Sequence, residues 1–269
     1  RAFTQKEHVA VCGYHGWQDW YIGSTTRDLG VPKATKALTH VFTYNDIASL
    51  EQVFNQQENK MAAVILEPMN THFPENDFLH QVQALCKKKG AVLIFDETIT
   101  GFRYNLGGAQ QLFGVTPDLA TFGKGMANGY PISAVVGRRD IMMLMEDIFF
   151  SGTFAGETLS LAATKATLNF MEQHNVVAHI TAMGEKLQTG LAQQIKQLHA
   201  QRWLSLSGHA VWSFLNIGAQ GGYSAIELKS LFLQEMATRG FLIGGGHNLS
   251  YAHKLTDIDA LLSAYKEVL

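Results

Sequence analysis

Short apolar runs, rich in β-branched and aromatic residues, recur along the first part of the chain at His8–Cys12, 62–66, 91–95, 119–121 and 134–136, each bounded by glycine, proline or acidic residues. That pattern predicts strands. The run Ala91-Val92-Leu93-Ile94-Phe95 has no polar alternation, which fits a strand buried on both faces. Between these runs, residues 47–58 and 76–89 place apolar side chains at helical spacing. Alternating strands and helices predict βαβ units around a mostly parallel sheet, an α/β fold. Further on, residues 156–173 and 175–197 read as two long helices rich in alanine, leucine and glutamine. The pattern then changes to a strand at 211–217, a helix at 225–239, the cluster Gly244-Gly245-Gly246, and a last helix announced by Thr256 with Asp259 three residues on. We expect a large α/β domain over residues 1–170 and a smaller C-terminal α+β domain over 171–269.

Composition narrows the choice of partner. A chain of 269 residues with 46% hydrophobic content can bury a sizeable core. With 21 basic and 23 acidic residues there is no general field to draw nucleic acid or an anionic membrane, so a small molecule or another subunit is expected. No apolar stretch approaches the ~20 residues of a membrane-spanning helix. Cys12 and Cys86 fit neither a disulfide framework nor a zinc-ligand spacing, and read as buried thiols of a cytoplasmic protein with no metal site.

Candidate chemistry sits at strand ends. Asp96 and Glu97 close the run 91–95, where a carboxylate can meet a pyridinium nitrogen or simply cap the following turn. Glu67 closes the run 62–66 and faces the crevice at the carboxyl ends of parallel strands, as a ligand contact or as a paired buried acid. Gly13-Tyr14-His15-Gly16-Trp17 follows the first strand, and Tyr14 can stack on a flat ring or pack in a core. Lys124, between Gly123 and Gly125, suits a Schiff-base former if burial or nearby positive charge depresses its pKa, and otherwise a solvated turn. Ser151-Gly152-Thr153-Phe154 precedes a helical pattern, where Gly152 amides and the Thr153 hydroxyl suit a phosphate, or Thr153 an N-cap.

The motifs Gly-Tyr-His-Gly, Ile-Leu-Glu-Pro, Leu-Ile-Phe-Asp-Glu, Phe-Gly-Lys-Gly and Gly-Thr-Phe-Ala-Gly occur in this order, and with them the chain resembles the class III, fold type I, pyridoxal-phosphate aminotransferases. It is most similar to the glutamate-1-semialdehyde aminomutase-like subgroup, through Thr100-Gly101-Phe102-Arg103 and Gly137-Arg138-Arg139-Asp140. The resemblance implies pyridoxal 5′-phosphate as cofactor, a small-molecule amino donor and a carbonyl acceptor, and amino-group transfer or migration through a Lys124 Schiff base and a quinonoid. It further implies that Asp96 pairs with the pyridine nitrogen, Tyr14 stacks on one ring face beside His15, Thr98 packs on the other, and Glu67 lies at the site. Thr153, beside Gly152, would reach the phosphate of a neighbouring subunit's cofactor, which implies a homodimer.

The sequence departs from the family in two places. Thr98 stands where valine is usual, adding a hydroxyl to the same β-branched shape. Ile99 stands where many ω-transaminases have glutamine, and matches the aminomutase-like group. Family members also carry, upstream of the first strand, a glycine- and hydroxyl-rich phosphate loop, so by resemblance this sequence corresponds to the C-terminal two-thirds of a longer protein. The polar segment Gln18-Asp19-Trp20-Tyr21 is similar to versions found beside sugar-biosynthesis enzymes, which suggests a keto-sugar-related acceptor. The rival expectation is a non-catalytic, aminotransferase-like dimerisation module.

Overall fold

A computed structural model describes all of residues 1–269 and divides the chain into two compact units, one formed by 1–70 with 74–170 and the other by 71–73 with 171–269. In the first unit the elements run β1 (His8–Cys12), α1 (Asp19–Ile22), α2 (Lys33–Lys36), β2 (Thr39–Val41), α3 (Ile47–Gln56), β3 (Met61–Leu66), α4 (Phe78–Lys89), β4 (Val92–Asp96), α5 (Gly108–Phe113), β5 (Leu119–Phe122), β6 (Ala134–Gly137) and α6 (Arg139–Met142). The six strands form one sheet in the order β2-β1-β3-β4-β5-β6, parallel throughout except for the antiparallel β6.

Side-chain alternation divides the core into two faces. Val9 and Val11 of β1 join Ala63, Ile65 and Val92 on one face, while Ala10 and Cys12 join Val64, Leu66, Leu93 and Phe95 on the other. Leu50, Val53 and Phe54 of α3 and Phe78, Leu79, Val82 and Cys86 of α4 cover that second face. Burial on both sides is why β3 and β4 are almost continuously apolar. The ends of α3 and α4 have local causes. Asp46 caps α3, its side chain accepting from the Ser49 amide at 3.2 Å. Gly90 ends α4 in the left-handed region at φ 62° after Lys87-Lys88-Lys89, cations at the negative end of the helix.

The pairing register sets where chemistry can assemble. Cys12 lies beside Leu66 and Leu66 beside Phe95, so β1, β3 and β4 end together along one rim, with Asp96 facing Thr121 across β4 and β5. The loops after these strands therefore share one side of the sheet, the usual ligand side of an open α/β sheet.

α7 (Thr158–His174) contains the boundary between the units and starts later than the sequence predicted. Thr153 is not its N-cap. The Glu157 carboxylate accepts from the Leu159 and Ser160 amides at 2.7 and 2.8 Å, a role an acid fills better because its charge opposes the helix dipole. The second unit contains α8 (Val176–Gln197), β7 (Leu204–His209), β8 (Trp212–Ile217), α9 (Ala225–Thr238), β9 (Gly246–Asn248) and α10 (Leu255–Val268), with the strands in an antiparallel sheet ordered β7-β8-β9. A capping box of Ser224 and Glu227 opens α9. α10 opens two positions earlier than expected, with Lys254 instead of Thr256 at its N-cap: Asp257 accepts from the Lys254 amide at 2.8 Å, while Asp259 pairs with Lys186 at 2.5 Å. Inside this unit His247 is 6% exposed and sits between the Ser213 hydroxyl at 3.0 Å and the Tyr265 hydroxyl at 2.6 Å.

Candidate active site

A cavity of about 500 Å³ opens on the shared rim of the first unit, and Tyr14, His15, Glu67, Asp96, Thr98 and Lys124 all line it. The motifs are thus gathered by the ends of β1, β3, β4 and β5. Trp17, Trp20, Ile99, Thr121 and Ser133 complete much of the wall. Its volume falls within the ~300–1,000 Å³ usual for small-molecule sites. Gly152 and Thr153 lie outside this lining, exposed in the segment before α7. A larger cavity of about 660 Å³ touches the opposite strand ends, at Ala91 and Asp118, and is lined by none of the candidate cofactor-binding or catalytic residues.

Asp96 is the most constrained group here. Its Oδ2 receives His15 Nδ1 at 2.9 Å, and its Oδ1 receives the Thr98 amide and the Thr121 hydroxyl, each at 3.1 Å. Burial alone would raise this carboxyl, but the hydrogen bonds from His15 and Thr98 outweigh it and hold it below the ordinary carboxylate range. Asp96 is therefore ionised at neutral pH. The His15 side chain is 1% exposed, with its other nitrogen 3.0 Å from the Cys12 carbonyl oxygen. Both ring nitrogens of His15 thus face oxygen acceptors, one a carboxylate and the other a backbone carbonyl.

Glu97 does different work from its neighbour. It is 0% exposed, and its carboxylate accepts from the Thr100 hydroxyl and from the Ala109 and Gln110 amides, both at 2.8 Å, at the start of α5. A Cβ on Gly108, at φ +76°, would stand 2.6 Å from this carboxylate. The acid pair thus divides, Glu97 anchoring the following turn and Asp96 facing the cavity.

Glu67 is also buried, its Oε2 accepting from the Tyr14 amide at 3.1 Å and from Asn70 Nδ2 at 2.9 Å. Tyr14 is 61% exposed over the cavity. Lys124 is exposed rather than buried and takes a left-handed backbone at φ 42°, a conformation that costs a non-glycine residue on the order of 1 kcal/mol or more. Such strain is retained where neighbours dictate the backbone. A Cβ added at Gly123 would stand 3.4 Å from Thr98 Cγ2, which puts Thr98 next to the lysine loop.

Ser133 and Asn70 were not singled out from the sequence, and Thr121 and Tyr21 figured there only inside longer segments, without a role of their own. Thr121 directly precedes the Phe-Gly-Lys-Gly motif and reaches Asp96 because β4 and β5 pair in that register, a fact no local pattern carries.

The profile of the family described as Aminotransferase class-III matches residues 9–208. The chain is 38% identical over 193 residues to a 3-aminobutyryl-CoA aminotransferase of Cloacimonas acidaminovorans, covering 69% of this chain and 46% of that protein. It is 41% identical over 211 residues to a glutamate-1-semialdehyde 2,1-aminomutase of Alkaliphilus oremlandii, covering 71% and 50%. The chain spans about half the length of these curated relatives. Its fold superposes with a TM-score of 0.90 and 26% identity on the PLP internal aldimine form of the FumI protein of Sphingopyxis sp. MTA144, covering 100% of this chain and 65% of that one.

Proposed function

The chain belongs to the class III aminotransferase family, and from that premise we propose that it holds pyridoxal 5′-phosphate in the rim cavity and moves an amino group from a small-molecule amino donor to a carbonyl acceptor. The observation that carries this reading is the ionised, triply hydrogen-bonded Asp96 lining the same cavity as Lys124. The residues fit the cofactor: an anion to face a pyridinium, an aromatic ring and a β-branched side chain to flank a flat ring, and a primary amine within one small-molecule cavity. When bound, pyridoxal phosphate supplies an aldehyde that condenses with amines and a ring that takes up the electrons of a substrate carbanion. Asp96 keeps a proton on the ring nitrogen; its own low pKa ensures that it accepts that hydrogen bond instead of donating one. Tyr14 would cover one ring face and Thr98 the other, both lining the cavity. Lys124 would hold the cofactor through its Nζ, and its amine would take and return the proton at the substrate carbon.

The names of the relatives support two versions of this chemistry, transfer between two molecules and migration within one. A keto-sugar-related acceptor is our more specific reading, resting on the polar segment Gln18–Tyr21; turnover of glutamate-1-semialdehyde but of no keto-sugar in a panel would remove it. A homodimer accounts for Phe149, Phe150 and Phe154, all exposed around Gly152 and Thr153: a second copy would cover the aromatics and place Thr153 at its neighbour's phosphate. Two buried, unpaired thiols, Cys12 and Cys86, suit a cytoplasmic location. A non-catalytic module would have had no need to keep both Lys124 and Asp96.

The test is an absorption spectrum of the protein with pyridoxal phosphate, then borohydride reduction and peptide mass mapping, in wild type and Lys124→Ala. A visible band and a pyridoxyl mass on Lys124, both lost in the variant, are expected. The absence of any band, also in a longer form with further N-terminal sequence, refutes the enzyme reading.

A further inference from the structure

Tyr21, in the short helix α1, is 6% exposed, and its hydroxyl donates to the Gly13 carbonyl oxygen at 2.8 Å. That carbonyl and the Tyr14 N–H belong to one peptide group. The N–H end of the same group donates to Glu67 Oε2 at 3.1 Å. A single peptide plane is therefore gripped at both ends, by a side chain from α1 and one from the end of β3.

The grip matters because of what stands at Gly13. Its φ of +101° lies where L side chains are strained, and a Cβ there would meet Glu67 Oε2 at 2.6 Å. Glycine is needed for the close approach, and glycine leaves the peptide free to rotate. The two hydrogen bonds remove that freedom. Tyr21 also meets the Tyr14 ring edge-on, with centroids 5.7 Å apart at 86°, and the His15 ring at 5.3 Å and 76°. One buried side chain thus touches the peptide that aims Tyr14, the Tyr14 ring, and the imidazole that pairs with Asp96.

We propose that Tyr21 is a positioning residue of this site: together with Glu67 it fixes the Gly13–Tyr14 peptide plane, and so sets where the Tyr14 ring and the His15 imidazole stand. Its bearing on the cofactor rests on the pyridoxal-phosphate reading above. Burial, with the Glu67 charge adding to it, raises the Tyr21 phenol above its ordinary range, so the hydroxyl remains a donor at neutral and mildly alkaline pH. Glu67, by the same geometry, acts on the ring through the Tyr14 backbone.

Tyr21→Phe tests this, because it deletes the hydroxyl and keeps the aromatic packing. Two measurements are made on the full-length protein, with Glu67→Gln as a second variant should the first fold poorly. Without cofactor, amide hydrogen exchange at Tyr14 should accelerate roughly tenfold in either variant relative to amides of β3, which report global stability. With pyridoxal phosphate, the visible circular dichroism of the bound cofactor should change in shape or sign and its affinity should weaken several-fold, since both report the ring's surroundings. A merely structural tyrosine would move neither. Unchanged Tyr14 exchange overturns the peptide grip. Faster exchange with an unaltered dichroism band and affinity overturns the role in the site. A wild type without any cofactor band overturns the pyridoxal-phosphate reading and the site role with it, a result distinct from the other two.

Discussion

Acidification should weaken the protein through His247 before it reaches the site carboxylates. The imidazole is buried between the Ser213 and Tyr265 hydroxyls, and burial lowers its pKa from 6.5 to about 4. In the unfolded chain the ring takes a proton near pH 6.5, whereas in the folded chain it does not until about pH 4, so between these values the unfolded state binds more protons. The stability contributed by the neutral ring is therefore present in full above about pH 6.5 and is lost as pH falls toward 4. A shift of that size corresponds to on the order of 3 kcal/mol, a large share of the ~5–15 kcal/mol typical of a domain. The assay is urea denaturation at half-unit steps from pH 7 to 4.5, in wild type and His247→Gln. The variant keeps hydrogen-bonding capacity but does not titrate, so its stability should fall less steeply, the two slopes differing by close to one proton. Asp96, with its carboxyl below the ordinary range, adds its own loss only at still lower pH. Parallel pH curves for the two proteins would refute the reasoning, because they would place the acid sensitivity elsewhere.

Three substitutions separate the roles of neighbouring residues. Asp96→Asn should cut turnover by on the order of 100-fold or more while leaving the fold intact, measured as kcat alongside the thermal midpoint. Glu97→Gln should do the reverse, removing one acceptor from three donors and costing on the order of 2 kcal/mol in denaturant titration, with cofactor absorbance retained once folded. Gly108→Ala should destabilise by on the order of 3 kcal/mol by the same titration, since it adds backbone strain at φ +76° to a Cβ contact of 2.6 Å with the Glu97 carboxylate.

What could be read in the sequence follows from how far each determinant reaches along the chain. The strands of the large sheet were legible at β1, β3, β4, β5 and β6 because each is an apolar run closed by a turn signal. β2 and β7 were not. Thr39-His40-Val41 is too short to carry a pattern, and Leu204-Ser205-Leu206-Ser207-Gly208-His209 is weak in β-formers and becomes a strand by pairing with β8. α10 starts at Leu255 and does not follow the Thr256–Asp259 pattern, because Asp257 accepts from the Lys254 amide while Asp259 pairs with Lys186.

The site divides along the same line. Lys124, Asp96, Glu67 and Tyr14 were visible because each ends or follows a strand, and the ends of parallel strands meet at one rim by topology. Which loop hydrogen-bonds to which was not visible, because those bonds join residues 53 apart for Tyr14 with Glu67 and 81 apart for His15 with Asp96. A local pattern can place a chemical group at a rim; only the register and the loop paths decide its orientation. Tyr21 hydrogen-bonds to a peptide plane and Thr121 faces Asp96 across the β4–β5 pairing, and nothing local to either segment specifies these contacts. It follows that exchanging the strand ends among relatives should conserve the reaction type, while exchanging the segment 13–22 alone should disturb the setting of the Tyr14 ring even when Tyr14 and His15 are kept.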